Sequence, residues 1–185
     1  MMQRMLNHKK IDLYLNYDYK ETYNLKSLQL LLKNNVYDAI FFTGMIDELF
    51  DFKYGKLPYR SLEFKFEYFS DIDDFQPTSV VNYPSDKELT RITEYKKLCN
   101  QLDLKGTVIS KEYPGAYDIN SKRFNLACYP INNKDTLMLF NKYYSELKAM
   151  DENFFVVGRL GQYKYFDTDD AIYNSINIIK DILKK

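Results

Sequence analysis

The chain has 185 residues, 45% of them hydrophobic, which is enough for one domain or one and a half around a real core. Lys plus Arg equals 26, as does Asp plus Glu; this balance argues against general nucleic-acid binding, which needs excess cations to displace counterions, but allows a local cationic pocket for a phosphate. The single histidine, His8, and two widely spaced cysteines, Cys99 and Cys128, exclude a Ser-His-Asp triad, a Cys-His pair and a His-rich metal site, and suggest no disulfide framework.

No apolar run reaches membrane-spanning length, and Met1-Met2-Gln3-Arg4-Met5 lacks the apolar stretch of a signal peptide. A cytoplasmic, reduced protein is the default expectation. Tyrosine is abundant, at 18 residues beside 13 Phe and no Trp. Part of that excess fits a gene rich in Lys, Asn, Ile and Tyr. Tyrosines within a core still need a partner for the hydroxyl, so many should sit at a boundary or cleft.

The first element expected is a strand over Ile11 to Tyr19, where Ile11, Leu13, Leu15 and Tyr17 alternate with Asp12, Tyr14, Asn16 and Asp18. Leu25 to Lys33 suits a short helix. Tyr37 to Thr43 is a compact apolar run ending at Gly44, as in a buried strand. Strand, helix and strand together read as a βαβ-like unit.

The character then changes. Tyr59 to Phe69 alternates again, with Arg60, Leu62, Phe64, Phe66 and Tyr68 on one apolar face. Ser79 to Tyr83, Arg91 to Tyr95 and Gly106 to Lys111 are further strand candidates, separated by Pro and Asp as in an antiparallel sheet. Gly115 to Cys128 reads as a loop. Helical periodicity returns over Thr136 to Lys148, a buried strand follows over Phe154 to Val157, and Asp169 to Leu183 closes as a helix with Ile172, Ile176, Ile179 and Leu183 in phase. Its acidic first turn and Lys-rich end suit the helix dipole. The fold class expected is mixed α/β, or α+β: a partial dinucleotide-type domain over 1–52, an antiparallel insert over 53–112, and a return to the first domain over 113–185.

None of the six glycines forms G-x-G-x-x-G, and no P-loop is present, so these residues alone do not build a standard nucleotide fold. Gly158-Arg159 ends a buried strand before a helix start, where α/β folds place anionic ligands and an Arg can fork two phosphate oxygens. The plain alternative is a surface Arg on a turn, with Asp167 to Asp170 merely capping the last helix. Arg60 and Arg91, each on a predicted strand, read in isolation as salt-bridging residues, and Tyr129-Pro130 as simple packing.

In combination these segments read differently. Phe42-Thr43-Gly44-Met45-Ile46-Asp47-Glu48-Leu49-Phe50-Asp51, Tyr59-Arg60-Ser61-Leu62-Glu63-Phe64, Val80-Val81-Asn82-Tyr83, Thr90-Arg91-Ile92, Glu112-Tyr113-Pro114, Tyr129-Pro130-Ile131-Asn132 and Gly158-Arg159-Leu160-Gly161-Gln162-Tyr163-Lys164-Tyr165-Phe166-Asp167 resemble, in order, the carboxy-terminal half of the UDP-galactopyranose mutase family. The resemblance runs from about Met5 to the end.

The resemblance implies an isomerase that interconverts UDP-galactopyranose and UDP-galactofuranose for polysaccharide biosynthesis. Reduced FAD acts through a flavin N5–sugar adduct without net redox, so the cofactor does the hard chemistry and the protein positions and neutralises charge. It implies that Arg91, Tyr129 and Tyr165 meet the UDP diphosphate, with Arg60 and Asn82 lining the same cleft. Arg159 would contact the flavin dinucleotide, and Phe166, Asp167, Thr168, Asp169, Asp170 and Ala171 would bring a helix start to it. No residue here is expected to act as acid, base or nucleophile.

The chain departs from the family at loops: Met45 for a usual Pro, Pro77 for a Gly, Glu88-Leu89 for Pro-Tyr, Tyr95 for a His, Ala127-Cys128 before Tyr129, and Phe166 for a Tyr. The family's front half, with its G-x-G-x-x-G strand, is expected to be missing. FAD would then bind only where that half is supplied, by a separate chain among other routes, and the isolated chain would be inactive. A homodimer of the full enzyme fits the resemblance. The rival expectations are a nucleotide-sugar-binding or interaction module and a non-functional remnant.

Overall fold

The computed structural model describes residues 2–86 and 88–184. The chain opens with a short helix α1 (Met2–Leu6). The strand expected over Ile11 to Tyr19 does not form: residues 11–18 carry no regular secondary structure and belong to no sheet. Ile11, Leu13, Leu15 and Tyr17 stay exposed, as do Asp12, Asn16 and Asp18. Alternation describes a strand's faces, but a strand exists only through a ladder with a neighbour, and none of the described residues supplies one here. The segment ends in a 3-10 turn (Tyr19–Glu21), where the Asp18 carboxylate accepts from the Lys20 N–H at 3.0 Å.

Helix α2 (Leu25–Lys33) starts at a capping box, the Asn24 side chain accepting from the Ser27 N–H and the Ser27 hydroxyl from the Asn24 N–H, both at 2.9 Å. Strand β1 (Ile40–Phe42) and helix α3 (Ile46–Leu49) follow. The expected βαβ start is therefore helix and strand only. The parallel partner of β1 comes from the far end of the chain: Ile40 to Phe42 pair with Phe154 to Val156 of a later strand.

The middle of the chain builds a five-stranded antiparallel sheet from β2 (Tyr59–Phe69), β3 (Val80–Asn82), β4 (Arg91–Glu94), β5 (Thr107–Ala116) and β6 (Tyr129–Pro130), in the order β3-β4-β5-β2-β6. A single helical turn, α4 (Tyr95–Leu98), leads out of β4. Strand β5 runs through Ala116, so the expected loop begins later, at Tyr117. The alternation of β2 leaves its more apolar face uncovered. Tyr59 and Ser61 are buried, whereas Phe64, Phe66 and Tyr68 are exposed. The apolar face of β2 is thus the open one.

Helix α5 (Lys134–Met150) begins at a second capping box, Asn133 with Thr136. Strand β7 (Phe154–Val156), a single turn α6 (Gly158–Gly161) and helix α7 (Thr168–Leu183) complete the chain. The core lies between α2, α3, α5 and β7, around Phe42, Ile46, Leu49, Leu57, Tyr143, Leu147 and Phe154. Each such side chain stabilises by about 1.5–3 kcal/mol on burial. Two of the core tyrosines satisfy their hydroxyls. Tyr143 donates to the Gly55 carbonyl at 2.7 Å and accepts from the Tyr54 N–H at 2.8 Å, and the Tyr163 hydroxyl lies 2.8 Å from the Pro58 carbonyl. No described helix is long and apolar enough to cross a membrane.

Candidate functional site

The open sheet face carries four of the five residues expected at the substrate. Directly opposed residues of antiparallel strands share a face, as do residues i and i+2 of one strand. Asn82 opposes Arg91, Arg91 opposes Glu112, and Glu112 opposes Phe64. Two and four residues earlier on β2, Leu62 and Arg60 lie on the same face, and Arg60 opposes Tyr129 of β6. One row therefore runs Asn82–Arg91–Glu112–Phe64, and a turn along β2 leads to Arg60 and Tyr129. Phe64 and Arg60 are four steps apart along the strand, roughly 13 Å at about 3.3 Å per residue, so the set forms two clusters.

In the first cluster, Arg91 Nε donates to Asn82 Oδ1 at 3.0 Å, and its guanidinium lies 3.9 Å from Glu112 Oε1. Arg91 is half exposed and Glu112 largely covered. Glu112 was not among the residues expected to act here. It stood within a family-like segment, but its cross-strand register with Arg91 is a non-local pairing that sequence spacing does not reveal.

In the second cluster, the Tyr129 and Tyr165 rings stack with centroids 5.7 Å apart. The Arg159 guanidinium sits over both, 4.8 Å and 5.0 Å from their centroids. Three of its five N–H groups are already engaged: Nε and Nη2 donate to the Phe166 carbonyl and Nη1 to the Cys128 carbonyl. Gly158 makes this approach feasible. It holds φ +77, a region other residues avoid, as the chain leaves β7 for α6. Gly161 lets that turn press on β1, since a Cβ there would lie 2.8 Å from the Phe42 carbonyl.

A cavity of about 470 Å³ opens beside Tyr129 and Arg159, floored by Leu62 and Phe64 and closed by Phe166 and the start of α7. Of the residues expected at the flavin, Arg159, Phe166, Asp167, Thr168 and Ala171 line it, whereas Asp169 and Asp170 lie on the same first turn outside the lining. Arg60 and Tyr165 lie outside the lining, the first paired with Tyr129 across the sheet and the second stacked on it, and Asn82 and Arg91 belong to the first cluster. Asp167 is the N-cap residue of α7 but makes no capping bond with its side chain. Instead it accepts from the Tyr165 hydroxyl at 2.9 Å, and that bond to the anionic carboxylate holds the Tyr165 pKa above its ordinary value. The first amides of α7 are thus left without a side-chain cap and carry the positive end of the helix dipole.

This arrangement, an open face with three arginines and two stacked tyrosines beside an uncapped helix start, suits an anionic ligand with a flat or sugar-like part. Residues 1–165 match the profile of UDP-galactopyranose mutase. The chain belongs to the UDP-galactopyranose mutase family. It is 41% identical over 157 residues to the UDP-galactopyranose mutase of Mycoplasma genitalium, covering 84% of this chain and 38% of that protein. The Mycoplasma pneumoniae enzyme of the same name is 33% identical over 183 residues, 98% of this chain and 45% of the relative. An Escherichia coli dTDP-fucopyranose mutase is 32% identical over 186 residues, 100% of this chain and 46% of the relative. The chain thus spans less than half the length of these mutase relatives.

Proposed function

We propose that the chain forms the sheet and last-helix walls of a flavin-dependent mutase that interconverts UDP-galactopyranose and UDP-galactofuranose, and that it is inactive without the rest of such an enzyme. The observation that carries this reading is the common sheet face of Arg60, Asn82, Arg91 and Tyr129, with Tyr165 stacked on Tyr129.

In this reading Arg91 neutralises the diphosphate as it departs from the sugar. Tyr129 and Tyr165 donate hydroxyl protons to the same oxygens, so three donors meet the leaving group without adding negative charge. Arg60 and Asn82 border the cleft. The donor set around α7 fits one wall of a flavin dinucleotide site. Its uncapped amides suit phosphate oxygens, while the carboxylates of Asp167, Asp169 and Asp170 only accept hydrogen bonds and suit hydroxyls. Arg159 holds the turn between these two groups. A bound reduced flavin supplies the nucleophile for the anomeric carbon, with no net redox change. The part facing the flavin comprises 1–52 and 113–185, and the substrate-facing insert comprises 53–112.

The test is direct. The chain purified alone is expected to carry no stoichiometric flavin absorbance and to give no turnover; either would overturn the proposal that it needs the rest of a mutase. UDP titrated against the chain is expected to bind weakly, and Arg91→Ala to lower that affinity about 10-fold, the loss expected for a hydrogen bond to a charged group. An unchanged affinity in Arg91→Ala sinks the diphosphate assignment. The dTDP-fucopyranose mutase relative, which matches all of this chain, supports a second reading with a thymidine nucleotide and a deoxy sugar. Competition between UDP and dTDP decides between them.

A further inference from the structure

We propose that the rings of Phe66 and Tyr95, continuing from Phe64 along the open sheet face, stack the pyrimidine base of the nucleoside diphosphate. The inference deepens the reading above and rests on its assignment of the diphosphate to Arg91.

The chemistry of two neighbouring rows is the first reason. The row Asn82–Arg91–Glu112–Phe64 carries charge. The next row on the same face, Val80–Thr93–Ser110–Phe66, contains no ionised group. Lys65, Glu67 and Lys111 alternate onto the other face, where Lys111 Nζ pairs with Glu67 at 2.6 Å. A ligand that crosses both rows is therefore best matched when it is anionic at Arg91 and neutral at Phe66.

The rings themselves are the second reason. Phe66 is 64% exposed and Phe64 43%. The Phe66 ring lies nearly parallel to both neighbours, 24° from Phe64 with centroids 6.5 Å apart and 27° from Tyr95 at 6.0 Å. The Tyr95 hydroxyl lies 3.2 Å from Ser110 Oγ, which ties that ring to the sheet. Single exposed rings are normal on a protein surface, but a contiguous aromatic row marks a binding surface. Aromatic rings take bases by stacking, because every base has a π-face.

Direction is the third reason. In the proposed reading the hexose lies towards Arg60 and Tyr129, so the nucleoside leaves Arg91 the other way along β2. Phe66 stands two residues beyond Phe64, roughly 7 Å at about 3.3 Å per residue. That is a separation one ribose bridges between phosphate and base.

The experiment titrates UDP, uridine and inorganic pyrophosphate separately against the full 185-residue chain and follows each by NMR. UDP is expected to bind about 10-fold more tightly than pyrophosphate, the gain from one stacked base. Its uracil H5 and H6 signals should move upfield under the ring current. Phe66→Ala should abolish that shift and the advantage of UDP while leaving pyrophosphate affinity unchanged, and Phe66→Trp should keep both. Tyr14→Ala, which removes an exposed ring elsewhere, should change nothing. Phe66 is largely exposed, so circular dichroism should show Phe66→Ala folded. If it does not, Phe66→Leu keeps apolar bulk without the ring and carries the test. UDP no tighter than pyrophosphate, or an upfield shift that survives loss of the Phe66 ring, overturns the inference. So does a homodimer of this chain, seen by light scattering, that Phe66→Ala dissolves. Pyrophosphate binding indifferent to Arg91→Ala sinks the diphosphate assignment, whereas a Phe66-dependent shift of free uridine leaves the base site standing. Pyrophosphate binding that needs Arg91, with no base shift from UDP or uridine, does the reverse.

Discussion

Replacing Glu94 with Ala tests the support beneath Arg91. Glu94 ends β4, three residues after Arg91, and its side chain is fully buried. It accepts from the Phe75 N–H at 2.9 Å, the Gln76 N–H at 3.2 Å and the Thr107 hydroxyl at 2.8 Å, with Lys97 Nζ at 3.6 Å. It thereby ties the loop before β3 and the start of β5 to the strand that carries Arg91. Hydrogen bonds to a charged group contribute about 1.5–3 kcal/mol each, and a buried donor left unpaired costs about 1–3 kcal/mol. The three bonds share one carboxylate and do not add fully, so Glu94→Ala should destabilise by about 3–5 kcal/mol. For a chain of this size that lowers Tm by roughly 6–20 °C.

The effect also has a pH signature. Burial pushes the Glu94 pKa up, but the bonds from Phe75, Thr107 and Gln76 and the charge of Lys97 outweigh it, and the pKa ends below its ordinary value of 4.5. A folded-state pKa below the unfolded one means that the unfolded chain binds the proton more readily. The stabilisation is therefore complete above about pH 4.5 and is lost as the pH falls through the lower folded value. Urea unfolding at pH 7 and at pH 3–4 checks both parts. A loss below 1 kcal/mol at pH 7, or a variant that keeps the wild-type acid dependence in this window, refutes the reasoning.

Three further outcomes follow from the geometry. Tyr143→Phe removes the bond to the Gly55 carbonyl and leaves the Tyr54 N–H without its acceptor; denaturant unfolding should show a loss of about 1–3 kcal/mol. Gly161→Ala drives a Cβ towards the Phe42 carbonyl at 2.8 Å; the strain should destabilise by about 1–3 kcal/mol, and flavin-independent UDP titration of the folded variant should weaken as α6 shifts Arg159. Glu112→Gln removes an anion from the row that contains Arg91 while Asn82 still holds Arg91 at 3.0 Å; UDP affinity should rise a few-fold, an effect that fades with added salt, and a fall instead would show that Glu112 chiefly orients Arg91.

Elements whose cause is local were legible in the sequence. Helix α2 begins and ends where its leucine spacing predicts, because Asn24 and Ser27 cap it. Strand β2 likewise spans the predicted Tyr59 to Phe69. What depends on distant partners was not legible. The alternation at Ile11 to Tyr17 matches that of β2, yet only β2 has neighbours on both sides. The same limit left open which face of β2 is covered, and Tyr59 and Ser61 are the ones buried. At the site, the resemblance named Arg60, Arg91 and Tyr129, but the register across four strands is what sets them on one face, with Glu112 between the arginine of β4 and Phe64.

The same register explains how such a face stays ordered while open to water. Three donors expected at an anion have partners within the protein: Arg91 Nε in Asn82, Arg159 in the Phe166 and Cys128 carbonyls, and Tyr165 in Asp167. Two of these acceptors are neutral, a side-chain amide and backbone carbonyls. A diphosphate oxygen is a stronger acceptor than either, since hydrogen bonds to an ionised group are roughly twice as strong as neutral ones. In the proposed reading Arg91 gains by exchanging Asn82 for phosphate. Tyr165 does not gain in the same way, because its partner is already a carboxylate. For Tyr165 to serve the diphosphate, Asp167 must find another donor, and as the N-cap residue of α7 it stands beside that helix's first amides. Substrate and helix cap are then linked: a ligand that draws Tyr165 away returns Asp167 to the start of α7, which stiffens the wall on the side where the flavin is proposed to lie.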